Sequence, residues 1–243
     1  MWALYRKEVS SFLSSIIGYI IIGIFLAATS VFLWFADGGT NILSGGYANI
    51  DGLFVLAPWV FLILIPAITM RSFAEEKNTG TFELLFTKPI SDSFIILAKF
   101  LACLTLFVLA IIPTLFYYYS VYKLGIPEGN IDSGSTWGSY IGLLFLGGGF
   151  ISIGIFSSAI ANNQIISLIL SIILCFTVYL GFDAIGEQGF FGEASLFVQN
   201  LGISAHYNSI SKGRIDTRDI VYFISLIVFF MLLTRTVINS RKW

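Results

Sequence analysis

Few side chains in this sequence can do chemistry, and one stretch displays several of them together. From 71 to 89 it carries Arg71, Phe73, Glu75, Glu76, Lys77, Gly80, Thr81, Glu83, Leu84, Leu85, Lys88 and Pro89. No nucleophile stands beside a base here. What the spacing offers is charge displayed on two short helices. The first continues from the apolar run before it and carries Lys77 in its last turn, where a cation suits the helix C-terminus. It stops at Gly80, the residue best suited to a left-handed cap. Thr81 can cap the second helix, Glu83 sits well in its first turn, and Pro89 ends it. Ser91, Asp92 or Ser93 then caps the next apolar run. A connector this ordered and charged, in a chain this poor in charge, reads either as a docking surface or as an ordinary solvated link.

Other chemistry finds little support. His206 is the single histidine, so a histidine-based metal site is excluded. Ser204 and Ser209 lie near it, but a serine beside a lone loop histidine is not a catalytic pair. Neither an H-E-x-x-H motif nor the phosphate-binding G-x-x-x-x-G-K-[ST] pattern occurs, so this chain is not expected to be an enzyme or to hydrolyse ATP. Cys103 and Cys175 both fall within apolar runs and read as free thiols acting as small hydrophobes. A net charge of −1 offers no basic patch for nucleic acid.

The elements that must position these residues follow from composition. Apolar residues make up 57 % of the 243 and charged ones 11 %, against about 45–50 % and about 25 % in soluble domains. So few charges cannot cover a soluble surface, which leaves a polytopic membrane protein. A bilayer core needs about 20 apolar residues per helix. Six stretches qualify: 16–35, 53–70, 94–122, 139–161, 165–182 and 220–238. The chain therefore reads as all-α, a single transmembrane domain over 1–243. Pro113 should kink the third span, and Pro58 and Pro66 the second. Asn162-Asn163-Gln164 leaves only a tight hairpin between the fourth and fifth. Gly138 with Gly142, and Gly154 with Ser158, make faces that allow close helix approach, within one subunit or between two.

Ahead of the first span, Trp2, Tyr5, Val9, Phe12, Leu13 and Ile16 recur at helical spacing, with Arg6, Lys7 and Glu8 off that stripe. This predicts an interfacial helix. The apolar run after it is too long for a signal peptide, and no Ala-x-Ala site follows. With the N-terminus inside, the inner segments carry nine basic residues and the outer ones Lys123, Lys212, Arg214 and Arg218. Acidic residues run the other way, so both termini are expected in the cytoplasm. Lys99 and Arg235, the charges within the spans, sit near cytoplasmic ends where snorkelling accounts for them. Asp183 lies near water at the outer end of span five. Nothing at mid-membrane suits an ion-coupled carrier. The outer segment 183–219 carries Phe190, Phe191, Leu196, Phe197, Val198 and Leu201, apolar surface that predicts a re-entrant or interfacial helix. Asp216 and Asp219 look like a capping box opening span six.

The run Phe73-Ala74-Glu75-Glu76-Lys77, then Gly80-Thr81, Glu83-Leu84-Leu85 and Pro89, closely resembles the loop after the second span of ABC-2 type transporter permeases. Arg6-Lys7-Glu8 with Phe12 resembles the start of that family, and Asn162-Asn163-Gln164 its short hairpin. The segment from Ser211 to Asp216 is similar to the gliding-motility permeases (GldF) and to relatives in copper-enzyme maturation. The resemblance implies a type V exporter-like fold of six helices with an N-terminal interfacial helix and cytoplasmic coupling helices. It implies a second permease subunit as partner, homo- or heterodimeric, and a separate ABC ATPase that binds ATP and magnesium, with no cofactor in this chain. It also implies a further motility-associated membrane protein and a bacterial inner membrane. Phe73, Glu75, Glu76, Lys77, Gly80, Thr81, Glu83, Leu84 and Pro89 would then form the ATPase-coupling interface, with Glu75, Glu76 and Glu83 facing the ATPase. The competing readings are a secondary transporter and a non-transporting scaffold of a motility or secretion machine.

Overall fold

The computed structural model of the protein describes residues 1–82, 91–187, 195–214 and 216–240, and all regular structure among them is helical. Six helices are long and apolar enough to cross a membrane. Helix α1 (Trp2–Leu13) precedes the first of these, α2 (Ile16–Ser30), which runs on through a π-helical turn at Val31–Phe35. The turn between them is tight: a Cβ on Gly18 would lie 2.7 Å from the Phe12 ring, so only glycine lets α1 fold back here. Helix α3 (Asp51–Thr69) is followed by a one-turn elbow and the short α4 (Ala74–Asn78). Helix α3 runs on through Pro58 and Pro66, and the Phe54 carbonyl that Pro58 leaves without an N–H accepts from Tyr207 Oη at 2.7 Å.

Pro113 does break the third span. It sits in a 3₁₀ turn, Ile112–Thr114, between α5 (Asp92–Ile111) and α6 (Leu115–Leu124). Proline supplies no N–H, and the loosened turn is held from the side: Thr114 Oγ1 donates to the Ile111 carbonyl at 2.7 Å and Tyr140 Oη to that of Thr114 at 3.1 Å. Ser91 takes the N-cap position of α5.

Helix α7 (Ser133–Ile160) is the axis of the bundle, and α3, α5 and the later helices α8 (Gln164–Phe176), α11 (Ile203–Ile210) and α12 (Thr217–Ser240) all pack on it. Its small residues explain why. A Cβ on Gly154 would stand 2.1 Å from Thr69 Oγ1, one on Gly147 2.1 Å from the Phe107 ring, and one on Gly142 2.8 Å from Ile210. Both small-residue faces are thus filled within this subunit. Asn163 caps α8 through its Oδ1, 2.8 Å from the Ile166 N–H, which turns the 161–163 link into a hairpin. Helix α8 passes through a π-helical turn, Thr177–Gly181, into α9 (Phe182–Glu187), and α10 (Ser195–Gln199) follows. Phe190 and Phe191, part of the segment where a re-entrant or interfacial helix is expected, lie outside the described residues; the rest of that segment includes α10 and α11.

By contrast, α2, α8 and α12 keep most of their apolar surface uncovered. In water that would drive association; in lipid it is the ordinary exterior of a span.

Candidate coupling site

Charged side chains of α1, α4 and α5 meet at the end of the bundle that bears both termini. Helix α1 lies against α5, with Tyr5 Oη 2.9 Å from Thr105 Oγ1. That contact brings Glu8 to Lys99, Oε1 to Nζ, at 3.0 Å. Lys99 is 1 % exposed, too little for snorkelling. Its ammonium also donates to the Ser72 carbonyl and sits 4.9 Å over the Phe73 ring. Glu76 stands 3.0 Å from it through Oε2, an ion pair off hydrogen-bonding angle, and accepts from Lys7 through Oε1 at 3.2 Å. Lys7 in turn lies 3.7 Å from Glu8. Two cations and two carboxylates therefore close a neutral ring across three helices. Burial alone would lower the Lys7 pKa, but Glu76 and Glu8 outweigh it and hold that ammonium above its ordinary value.

Two sequence expectations change here. Lys99 does not snorkel, because Glu8, Glu76 and the Ser72 carbonyl compensate its charge in place. Glu76 does not face outward, because α4 packs against α7 and α8 and its buried Glu76 carboxylate turns to Lys7 of α1 and Lys99 of α5. Glu8 likewise leaves the polar face predicted for α1, while Arg6 stays exposed, 5.7 Å over the Trp2 ring. Phe12 is buried under the α1–α2 turn.

The elbow before α4 is fixed by one hydroxyl from elsewhere. Helix α4 has no side-chain cap of its own. Ser158 of α7 supplies it: its Oγ accepts from the N–H groups of Phe73 and Ala74 at 2.9 and 3.0 Å and donates to the Met70 carbonyl at 3.1 Å. Lys77 repays the contact in the other direction. Its ammonium donates to the Ala159 carbonyl and, at 3.1 Å, to that of Ala161, at the C-terminus of α7, which has no basic residue in its own last turn. Arg71 reaches Ser15 Oγ at 3.3 Å and so ties the elbow to the start of α2.

The end of α4 is a Schellman turn. Gly80 has φ +69°, the Thr81 N–H bonds to the Glu76 carbonyl at 2.9 Å, and the Gly80 N–H to that of Lys77 at 3.2 Å. Asn78, Thr79, Gly80 and Thr81 are exposed, and Glu75 is half-buried with no ion pair among the described residues. The α4 segment thus has an anchored inner face, Phe73, Glu76 and Lys77, and an open rim, Glu75 with 78–81. Glu83, Leu84 and Pro89, with the helix that Thr81 was expected to cap, lie outside the described residues. The sequence reading missed Ser158, Ser72 and the inward turn of Glu8. A lysine two turns inside an apolar span was the one available signal, since such a charge requires partners.

The opposite end carries a second polar cluster. His206 Nδ1 is 2.7 Å from Asp219 Oδ1, and its Nε2 is 2.9 Å from the Asn200 carbonyl. Ser204 donates to Asp183. Both imidazole nitrogens are occupied, so no serine is activated. Asp216 caps α12 through the Arg218 N–H at 2.9 Å, but Asp219 turns to His206 instead of completing a capping box. Among the described residues no group of His, Cys, Asp and Glu could hold a metal ion.

Residues 2–242 match the family described as ABC-2 family transporter protein. No curated protein matches the sequence.

Proposed function

The chain belongs to the ABC-2 transporter family, and from that premise we propose that it is the membrane permease subunit of an ATP-driven exporter. A separate ATPase binds ATP and magnesium and docks on the rim of α4. Its movements reach the spans through the anchored inner face. The observation that carries this reading is the two-sided α4. Charged and capped residues fix it to α1, α5 and the end of α7, while Glu75 and 78–81 remain open at the same end. A push on the rim cannot be absorbed by a loose loop; it displaces three helices together.

The rest of the setting follows from this reading. The face with α4 and both termini is cytoplasmic, in keeping with its excess of Lys and Arg. Export across a bacterial inner membrane needs a second permease copy or homologue, because six spans with α7 packed solid leave no pathway inside one subunit. The uncovered faces of α2 and α8 supply the contact. A role in gliding motility or its associated secretion rests on the likeness of 211–216 alone.

The test is co-purification. Glu75→Lys combined with Thr79→Lys places two cations on the rim without touching the ring. The variant should insert and express normally yet lose the ATPase subunit, whereas Glu187→Lys, exposed at the opposite end, should keep it. Retention of the ATPase by the double variant would refute docking at α4.

A further inference from the structure

On the flank away from α1, two apolar hollows of about 250 and about 370 Å³ join at Phe100 and Ile227. Together they form one groove between α5, α7 and α12. Along α5 it runs from Ser93 to Val108, a rise of about 22 Å at 1.5 Å per residue. One leaflet of hydrocarbon is about 15 Å deep, so the groove is long enough for a whole acyl chain. Its floor is set by Gly148, where a Cβ would stand 3.1 Å from Ile227. Its rim is formed by Leu144 and Ile141, both exposed toward the bilayer.

One end of this groove is charged. Arg235 lines the mouth beside Ser93, at the termini-bearing face where headgroups lie. The guanidinium has no ion-pair or hydrogen-bond partner among the described residues. The charges of the ring are turned the other way, toward α1. A cation that closes an apolar groove at headgroup depth matches one occupant in shape and charge: an acyl chain along the groove and a phosphate at the guanidinium.

We propose that this groove binds an anionic phospholipid, its phosphate held by Arg235 and one acyl chain laid between α5, α7 and α12. The site is independent of the docking reading above, since it shares no residue with α4. A single interfacial arginine favours an anionic lipid by about fivefold.

The test is native mass spectrometry of the full-length protein, purified with any subunits that accompany it. Phosphatidylglycerol and phosphatidylcholine of identical chains are titrated in separately. The expected result is a first phosphatidylglycerol bound about fivefold more tightly than phosphatidylcholine. Arg235→Gln should equalise the two, and Leu144→Trp, which fills the groove from its exposed rim, should weaken both while leaving their ratio unchanged. Equal affinities in the natural chain, or an unchanged preference in Arg235→Gln, would overturn the proposal. So would a Leu144→Cys chain that cross-links to a second polypeptide in native membranes, because the groove would then belong to a protein.

Discussion

The two ends of the bundle both hold charged residues against neighbouring helices, but they use them differently. At the opposite end the contacts are pairwise: Asp183 with Ser204, and His206 with Asp219. Each joins a short outer helix to one span. At the termini-bearing end, Lys7, Glu8, Glu76 and Lys99 share partners in a closed ring, and Ser158 and Lys77 exchange caps between α4 and α7. Pairwise links can be lost singly. A ring with shared partners makes three helices move as one, which is the property a coupling element needs.

The sharpest way to break this contrast is to remove one charge from the ring. Lys99→Met leaves Glu8 and Glu76 with only Lys7 as counter-ion; a fully unpaired buried charge costs about 3–5 kcal/mol, and the loss here should approach the lower end of that range. Thermal or denaturant unfolding in mild detergent should show that loss, with a large part of it recovered in Lys99→Met/Glu76→Gln. If Lys99→Met melts like the natural chain, the ring does not hold the helices. For the same reason Glu76→Lys, which gathers three cations at one point, is expected to fail as a folded protein and cannot report on docking.

Next in size is Ser158→Ala. It leaves two N–H groups and one carbonyl of the elbow unpaired, about 1–3 kcal/mol for a buried group so stranded. Hydrogen exchange should accelerate at Phe73 and Ala74 before it does in the spans. Unchanged protection there would mean that α4 is capped by something else. At the opposite end, Asp219→Asn weakens one charge-assisted bond to His206, about 1.5 kcal/mol or more. The expected signature is faster exchange in α11 with ATPase association intact; loss of the ATPase in this variant would dissolve the distinction between the two ends.

How much of this was legible in the sequence depends on how far apart the partners lie. Six spans follow from hydropathy alone, because lipid imposes length and composition locally. Gly80 was legible for a similar reason: its cap is closed by Glu76 and Lys77, four and three residues back. Pro113 announced its break. Lys99 did not announce its partners, since Glu8 is 91 positions away and Ser72 is 27. Ser158 stands 84 positions from the N–H it caps. In the sequence it is one more small residue on a glycine-rich helix. The π turns at Val31–Phe35 and Thr177–Gly181 carry no residue type that marks them. Pro58 marked a carbonyl in need of a partner but not which one, since Tyr207, which donates to the Phe54 carbonyl, is 153 positions away.

The smallest effect concerns pH. Folding raises the Lys7 pKa above its unfolded value of 10.5. The stabilisation it contributes is therefore complete below 10.5 and is lost as pH rises through the higher folded value. Melting curves taken across that alkaline window should fall more steeply for the natural chain than for Lys7→Met. Parallel curves would mean that Lys7 adds nothing to the ring.

The rim of α4 remains the place where anchoring and docking separate. A photo-activated cross-linker placed at Thr79, exposed and outside the ring, measures this directly in the assembled complex. The account predicts a covalent adduct with the ATPase subunit from position 79 and none from position 187. An adduct from 187, or none from 79 in a complex that still holds its ATPase, would contradict it.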